Sequence, residues 1–343
     1  MKLKPGGKIA IFLVLGGLAF FLIKNYLPQD KAVVATSATT ATTGTGSDGS
    51  TTSDNVEANS GNQQTKSANT NATTENRTFD YTPEKPVNGK LRGVVEVGAT
   101  GFNSFVINMD NQKRWEIVSK DFGESLAYEG LATTEDIRSG LKKYLARMFD
   151  KGVLKTDMHF VISSGAQKEP KTTLISNELK KMGYVVNLVT PEQEGKLAFK
   201  ATVPPSFQDN SFLVDIGSGN TKVSWQEGTN LKALELPGAK YYEKGTSNDA
   251  VYNQVKGQGA KIPEGKRNVG FIIGGVPFTL AKQTRNGEER YTVLNAANTY
   301  KAEDKKMEAG LNIYKGLVDA TKCDTFVFDW DANFTIGFLL GLR

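Results

Sequence analysis

The pattern of apolar and polar residues predicts an α/β protein from residue 91 onward. Strand-like runs at 91–98, 105–109 and 115–118 are followed by an amphipathic helix at 135–151 with Thr134 as its N-cap. Further strand signals lie at 159–162, 185–189, 212–225 (two strands and a glycine turn), 234–239, 268–276 and 325–328. Further helix signals lie at 174–182, 247–255, 305–321 and 335–342, and one helix starts at Pro191 behind the N-cap Thr190. Strands that alternate with helices favour a sheet covered by helices.

An apolar run at 9–23 follows three lysines, Lys2, Lys4 and Lys8. The run is slightly shorter than the ~20 residues that span a bilayer, and the residues after it can extend it. We predict an uncleaved membrane anchor at 1–30, with a cleaved signal peptide as the alternative. The lysines ahead of the run predict a cytoplasmic N-terminus and a folded domain outside the cytoplasm, in the periplasm of a two-membrane cell.

The segment 31–85 is mostly Thr, Ser, Ala, Asn and Gly, with few large apolar residues. It cannot bury enough apolar surface to offset the entropy lost on ordering, so we predict a disordered linker. The rest of the 343-residue chain is long enough for two lobes, which we expect at 86–205 and 206–343. The alternative for the last helix is that it packs back on the first lobe.

Composition limits the chemistry that the chain can support. It has one cysteine, Cys323, and one histidine, His159, which excludes an intramolecular disulfide and a Cys/His zinc site. A Ser-His-Asp mechanism would need His159, but its place at the head of an apolar run favours a structural role. The net charge of +5 comes from mixed Lys, Asp and Glu without a basic stripe, so nucleic acid is not an expected partner.

Two strand–turn–strand units carry glycines at their turns, one near Gly98 and one near Gly217. In the second unit Asp215 closes an apolar strand just before the turn. Backbone N–H groups in such a turn can bind phosphate oxygens, and a neighbouring carboxylate can hold a metal or a water. We interpret the pair as an internal duplication of a phosphate-binding hairpin. Two unrelated glycine hairpins are the alternative.

Four motifs follow one another along the chain: Val95–Gly98 with Phe102–Ile107, Ile162–Glu169, Val189–Phe199, and Val214–Thr221. In this order they resemble the exopolyphosphatase and guanosine pentaphosphate phosphohydrolase (Ppx/GppA) family of the actin-like ATPase superfamily. The resemblance implies a two-lobed, ribonuclease H-like α/β fold with mixed sheets and a cleft between the lobes. It also implies metal-dependent hydrolysis of phosphoanhydrides.

The resemblance assigns a role to residues of each motif. Asp215 and Glu96 would hold a Mg²⁺ ion, and Glu169 and Glu194 would act in catalysis, with Glu169 as the candidate base. The alternatives are a solvated loop charge for Glu169 and, for Glu194, an acid that favours the helix dipole. The residues implied in phosphate binding are Gly98, Asn103, Ser104, Gly217, Ser218, Gly219 and Asn220.

Two positions depart from the family pattern. Glu96 stands where the family has an aspartate, and Lys168, not Glu169, falls on the catalytic glutamate when no gap is introduced. Two hypotheses therefore stand: a membrane-anchored phosphohydrolase, and a catalytically degenerate ligand-binding or protein-interaction module of the cell envelope. The expected partners are a phosphorylated small molecule or polyphosphate, the membrane through the N-terminal helix, and an envelope protein.

Overall fold

The computed structural model describes residues 78–98, 101–122 and 133–342. The predicted anchor at 1–30 and most of the predicted linker at 31–85 lie outside the described residues. Within the described ranges, no helix is long and apolar enough to cross a membrane.

The described chain contains eleven strands and seven α-helices. The strands are β1 Lys90–Val97, β2 Phe102–Met109, β3 Trp115–Phe122, β4 Met158–Ile162, β5 Val186–Leu188, β6 Ser211–Ile216, β7 Asn220–Glu227, β8 Asn230–Pro237, β9 Val269–Gly274, β10 Tyr291–Val293 and β11 Phe326–Asp329. The helices are α1 Thr134–Asp150, α2 Pro170–Lys181, α3 Pro191–Thr202, α4 Asn248–Gly259, α5 Gly275–Lys282, α6 Lys305–Thr321 and α7 Phe334–Gly341.

The strands form two mixed sheets that repeat one topology. The first sheet has the order β3-β2-β1-β4-β5 and the second the order β10-β11-β9-β6-β7-β8. In each, the first three strands along the chain pair antiparallel, and the fourth pairs parallel with the first. The two glycine hairpins, β1–β2 and β6–β7, therefore occupy equivalent places, as a duplicated unit requires.

Helices α3 and α7 lie in a central core that joins the two sheets. This core contains Val94 and Phe105 from the first sheet, Leu213 and Phe271 from the second, and apolar residues of both helices. The outer face of the first sheet packs on α1 and α2, and that of the second on α4, α5 and α6. The result is an alternation of helical and sheet layers with the shared core in the middle.

The crossing of α3 and α7 depends on Gly337. A Cβ atom at this position would lie 1.9 Å from the carbonyl oxygen of Leu197, so no other residue fits without moving a backbone. Since α3 belongs to the predicted range 86–205 and α7 to 206–343, the two ranges share a core. Their division into lobes stays a prediction.

Most of the predicted elements are present within a few residues of their expected bounds. Thr190 caps α3 through a capping box and Pro191 opens it, as expected, whereas the N-cap of α1 is Thr133 instead of Thr134. Helix α5 and strand β10 were not predicted. The single histidine, His159, lies on β4 with its ring 5.8 Å from that of Phe338.

Candidate functional site

Strands β1 and β6 each carry a carboxylate two residues before a glycine. Side chains of a strand alternate between its faces, so Glu96 shares the face of Val94 and Asp215 that of Leu213, toward the central core. The chain turns in the same way after both. The N–H of Gly98 donates to the carbonyl of Gly101 at 2.9 Å, and that of Gly217 to the carbonyl of Asn220 at 3.1 Å.

Glu96 is held by two side-chain amides from distant parts of the chain. Asn103, opposite it on β2, donates to Glu96 Oε2 at 2.9 Å, and Asn333, the N-cap of α7, donates to the same oxygen at 3.1 Å. Burial raises the pKa of Glu96 to about 7; these hydrogen bonds oppose the shift, while the charges of Glu194 and Asp215 add to it. Glu96 therefore changes its charge near neutral pH.

Glu194 reaches the cluster from the first turn of α3. Its Oε2 accepts hydrogen bonds from the backbone N–H of Ser164 at 2.9 Å and from Ser164 Oγ at 2.5 Å. Its Oε1 accepts from Lys222 Nζ at 2.5 Å. Glu194 is only 3% exposed, so these donors compensate the loss of water around its charge. A carboxylate with both oxygens occupied in this way is anchored.

Lys222 pairs across β6–β7 with Asp215 and lies among the carboxylates. It is 5% exposed, and its Nζ is 2.5 Å from Glu194 Oε1 and 3.9 Å from Asp215 Oδ2. Burial alone would lower the pKa of Lys222, but the charges of Asp215 and Glu194 raise it above the ordinary value. Lys222 is therefore a buried cation at neutral pH.

Asp215 is the carboxylate with the fewest partners. Its side chain makes only the 3.9 Å ion pair with Lys222 among the described residues, and it is 12% exposed. Burial raises its pKa, and the positive charge of Lys222 opposes that shift. Asp215 is thus one acid of the cluster that a ligand or a water can still contact, beside the half-buried Glu96.

The side chains of the cluster are poorly arranged to hold a divalent metal ion. No group of three or more His, Cys, Asp or Glu in the described ranges is placed to hold a metal ion. The ammonium of Lys222 already lies between Glu194 and Asp215, and a metal at that place would meet its positive charge. The side chains as arranged do not fit a metal held by the protein.

The turn of the second hairpin offers backbone donors to a ligand. Within the described chain, the N–H groups of Ser218 and Gly219 donate no hydrogen bond, and Gly219 is exposed with open space where a side chain would be. Gly217 is required because a Cβ there would lie 2.7 Å from the carbonyl oxygen of Asn220. A loop of unpaired N–H groups beside a glycine is suited to bind an anion.

The structure brings together some of the residues implied by the resemblance and separates others. The half-buried Glu96 and Asn103 and the buried Glu194 and Asp215 form one cluster, and Gly98, Gly217, Ser218 and Gly219 lie in the turns next to it. The side chains of three predicted residues lie outside the cluster: Glu169, Ser104 and Asn220.

Each of these three has a physical reason for its position. Glu169 is exposed at the start of α2, and its carboxylate makes no hydrogen bond or ion pair with a described residue. Ser104 follows Asn103 on β2 and therefore points to the opposite face, toward Tyr144. The side chain of Asn220 donates to Glu235 at 2.7 Å. Geometry thus favours Glu194 over Glu169 as the acid nearest the hairpins.

The cluster also contains residues that the motifs did not single out: Lys222, Ser164 and Asn333. For Lys222 a signal existed, because a tight turn at Gly217 places it opposite Asp215 in an antiparallel pair. No local pattern marks Asn333, which is 237 residues from Glu96 along the chain.

Solved structures of a Ppx/GppA protein and of an exopolyphosphatase share this fold. The Aquifex aeolicus family member matches with a TM-score of 0.57 and 17% identity over 73% of this chain and 97% of that chain. A Cytophaga hutchinsonii exopolyphosphatase matches with a TM-score of 0.54 and 14% identity over 73% of this chain and 96% of that one. No family model matches the sequence, and no curated protein matches it significantly. The chain therefore has the α/β fold of the Ppx/GppA proteins, as the resemblance in its motifs implied.

Proposed function

We propose that this protein binds a phosphate or phosphoanhydride group at the turn of the second hairpin, beside the buried cluster. The observation that carries the proposal is the turn at the half-buried Ser218 and the exposed Gly219, whose N–H groups have no partner in the described chain. Such N–H groups favour an anion because they supply partial positive charge without a side chain. Polyphosphate or a phosphorylated nucleotide is the ligand class that the fold favours.

The test is calorimetric titration of the purified protein with inorganic phosphate, polyphosphate and nucleotides, each with and without Mg²⁺. Gly219→Asp places a negative charge in open space at the turn, so it should weaken binding at least about tenfold by repulsion. Gly265→Asp is the matched control, since Gly265 is also exposed with open space around it. Equal affinities for the two variants, or no binding at all, would contradict the proposal.

Hydrolysis of the bound phosphoanhydride is a second candidate function. Asp215 supports it, because this carboxylate is next to the turn and makes only the 3.9 Å ion pair with Lys222, so a water can bind to it and be oriented toward the ligand. Phosphate release from polyphosphate or a nucleotide should then be lost in Asp215→Asn. Release that is unchanged in this variant would rule out the role of Asp215.

The contacts of Glu194 favour a protein that binds its ligand without hydrolysing it. Both of its oxygens are occupied by Ser164 and Lys222, and a general base needs an oxygen within hydrogen-bond reach of the proton that it takes. Tight binding in the calorimeter without phosphate release would identify a ligand-binding or protein-interaction module. Its partner would then be sought in the cell envelope.

The location of the protein forms part of the proposal. We infer a single-pass anchor at 1–30, with the folded domain outside the cytoplasm, from the lysines that precede the apolar run. A reporter fused after Arg343 tests this. Activity of a reporter that works only in the cytoplasm would place the domain inside and would contradict the inference.

A further inference from the structure

Lys222 occupies a place that is shaped for it. Its stem lies against Gly195 of α3, where a Cβ atom would be 3.3 Å from Lys222 Cβ. The neighbouring Ser224 Oγ donates to the carbonyl of Gly195 at 3.0 Å and holds β7 against this helix. Lys222 Nζ then lies 3.7 Å from where a Cβ of Gly217 would be, directly beside the turn.

The Lys222 ammonium lies between two carboxylates and interacts with both. It is within 4 Å of carboxylate oxygens from two different elements, Glu194 of α3 and Asp215 of β6. Glu96 is close enough that its charge also affects the pKa of Lys222. Buried carboxylates that converge on one point need a positive charge there, and either a metal ion or an ammonium can supply it.

We infer that the Lys222 ammonium is the resident cation of this site, in the place that a divalent metal would otherwise take. The amine neutralises Glu194 and part of the charge of Asp215, and it excludes Mg²⁺ by charge and by volume. If the proposed function is right, the ligand phosphate binds to the turn of the second hairpin without a protein-bound metal.

The inference is tested by titrating Mn²⁺ into the metal-free full chain and measuring free Mn²⁺ by electron paramagnetic resonance. In Lys222→Ala the ammonium between Glu194 and Asp215 is gone, so Mn²⁺ held by these two carboxylates and by waters should bind at least about tenfold more tightly than in the wild type. Lys196→Ala is the matched control, because Lys196 is next to Gly195 in sequence, as Lys222 is in space, but ion-pairs with the exposed Glu192. It should leave Mn²⁺ binding unchanged.

Lys222→Gln provides a second variant if Lys222→Ala does not fold. Glutamine keeps an amide donor for Glu194 but removes the charge, so the gain in Mn²⁺ affinity should persist. Adding Asp215→Asn to either variant should abolish the gain.

Wild-type Mn²⁺ affinity equal to that of the Lys222 variants, or wild-type binding that is lost on Asp215→Asn, would overturn the inference. These titrations contain no phosphate ligand. The Mn²⁺ titrations therefore test the inference even if the protein does not bind phosphate.

Discussion

The two hairpins have the same strand register and an equivalent hydrogen bond at the turn, but different charges. In the first, the residue opposite the carboxylate is the neutral Asn103, which donates to Glu96. In the second, the equivalent residue is Lys222, which faces Asp215 and ion-pairs with Glu194. A duplicated turn thus has one half whose acid is stabilised by amides and one whose acids share an ammonium. The two hairpins thus share a register, while the cross-strand residue sets the charge beside each acid.

The largest effect is expected from removing the charge of the second hairpin. Lys222→Met leaves Glu194 buried without its cation, which should lower the free energy of unfolding by about 3–5 kcal/mol in urea denaturation. Combining Lys222→Met with Glu194→Gln should cost less than the sum of the single changes, because the uncompensated charge is gone. Strictly additive values would show that the pair is not coupled and would remove the contrast between the hairpins.

The next largest effect concerns the acid of the first hairpin. Since burial raises the pKa of Glu96 from its ordinary 4.5 to about 7, the folded state holds the proton more tightly than the unfolded state. The free energy of unfolding should therefore fall as the pH rises from 4.5 to 7, with a contribution from Glu96 of about 3 kcal/mol in total.

Glu96→Gln should remove that part of the slope and make the protein relatively more stable at pH 8. The matching variant Glu264→Gln, at an exposed turn, should keep the wild-type slope. Denaturation curves between pH 5 and 8 provide the measurement. A slope of the opposite sign in the difference between wild type and Glu96→Gln would contradict the prediction.

In the turn of the second hairpin, substitution by alanine should destabilise the protein at Gly217 but not at Gly219. In Gly217→Ala the new methyl would lie 2.7 Å from the carbonyl oxygen of Asn220, so we expect a loss of about 1–3 kcal/mol in the free energy of unfolding. Gly219→Ala has open space and should change it by no more than about 0.5 kcal/mol. Equal losses in thermal or urea unfolding would mean that the turn is not shaped as described.

The smallest effect is expected from the amide of the first hairpin. Asn103→Ala leaves Glu96 with Asn333 as its remaining side-chain donor, and we expect a cost of about 1 kcal/mol at pH 8. The loss should shrink at pH 5, where Glu96 is mostly protonated. Asn108→Ala, which removes a longer bond of 3.3 Å to Glu116, is the control and should lack this pH dependence.

The sequence was sufficient to predict most of the strand and helix order and the two glycine hairpins, with Asp215 near the end of a strand just before the second turn. These features are local, since apolar periodicity and closely spaced glycines are visible within about ten residues. Helix α5 was missed because it has only eight residues, is mostly apolar, contains Pro277 and begins directly after strand β9. Strand β10 was missed because three residues are too few to show a period.

The content of the site depended on contacts that no local pattern reveals. A lysine in a strand is normally read as a solvated charge, and Lys222 is buried only because α3 places Glu194 and Gly195 against it. Asn333 meets Glu96 through the packing of α7 between the sheets. Exposure also separated Glu169 from Glu194, which the sequence treated alike as acids of a motif.

The contact between Gly337 and Leu197 has a consequence for the order in which the protein folds. The helices that meet there, α3 and α7, fill the space between the sheets, yet one follows the first sheet and the other follows the last strand. During synthesis the first sheet and α3 emerge early, but the core on the inner face of the sheet is complete only when α7 arrives. The central core therefore closes late, and the nascent chain must keep that apolar face from aggregating until its last helix has left the ribosome.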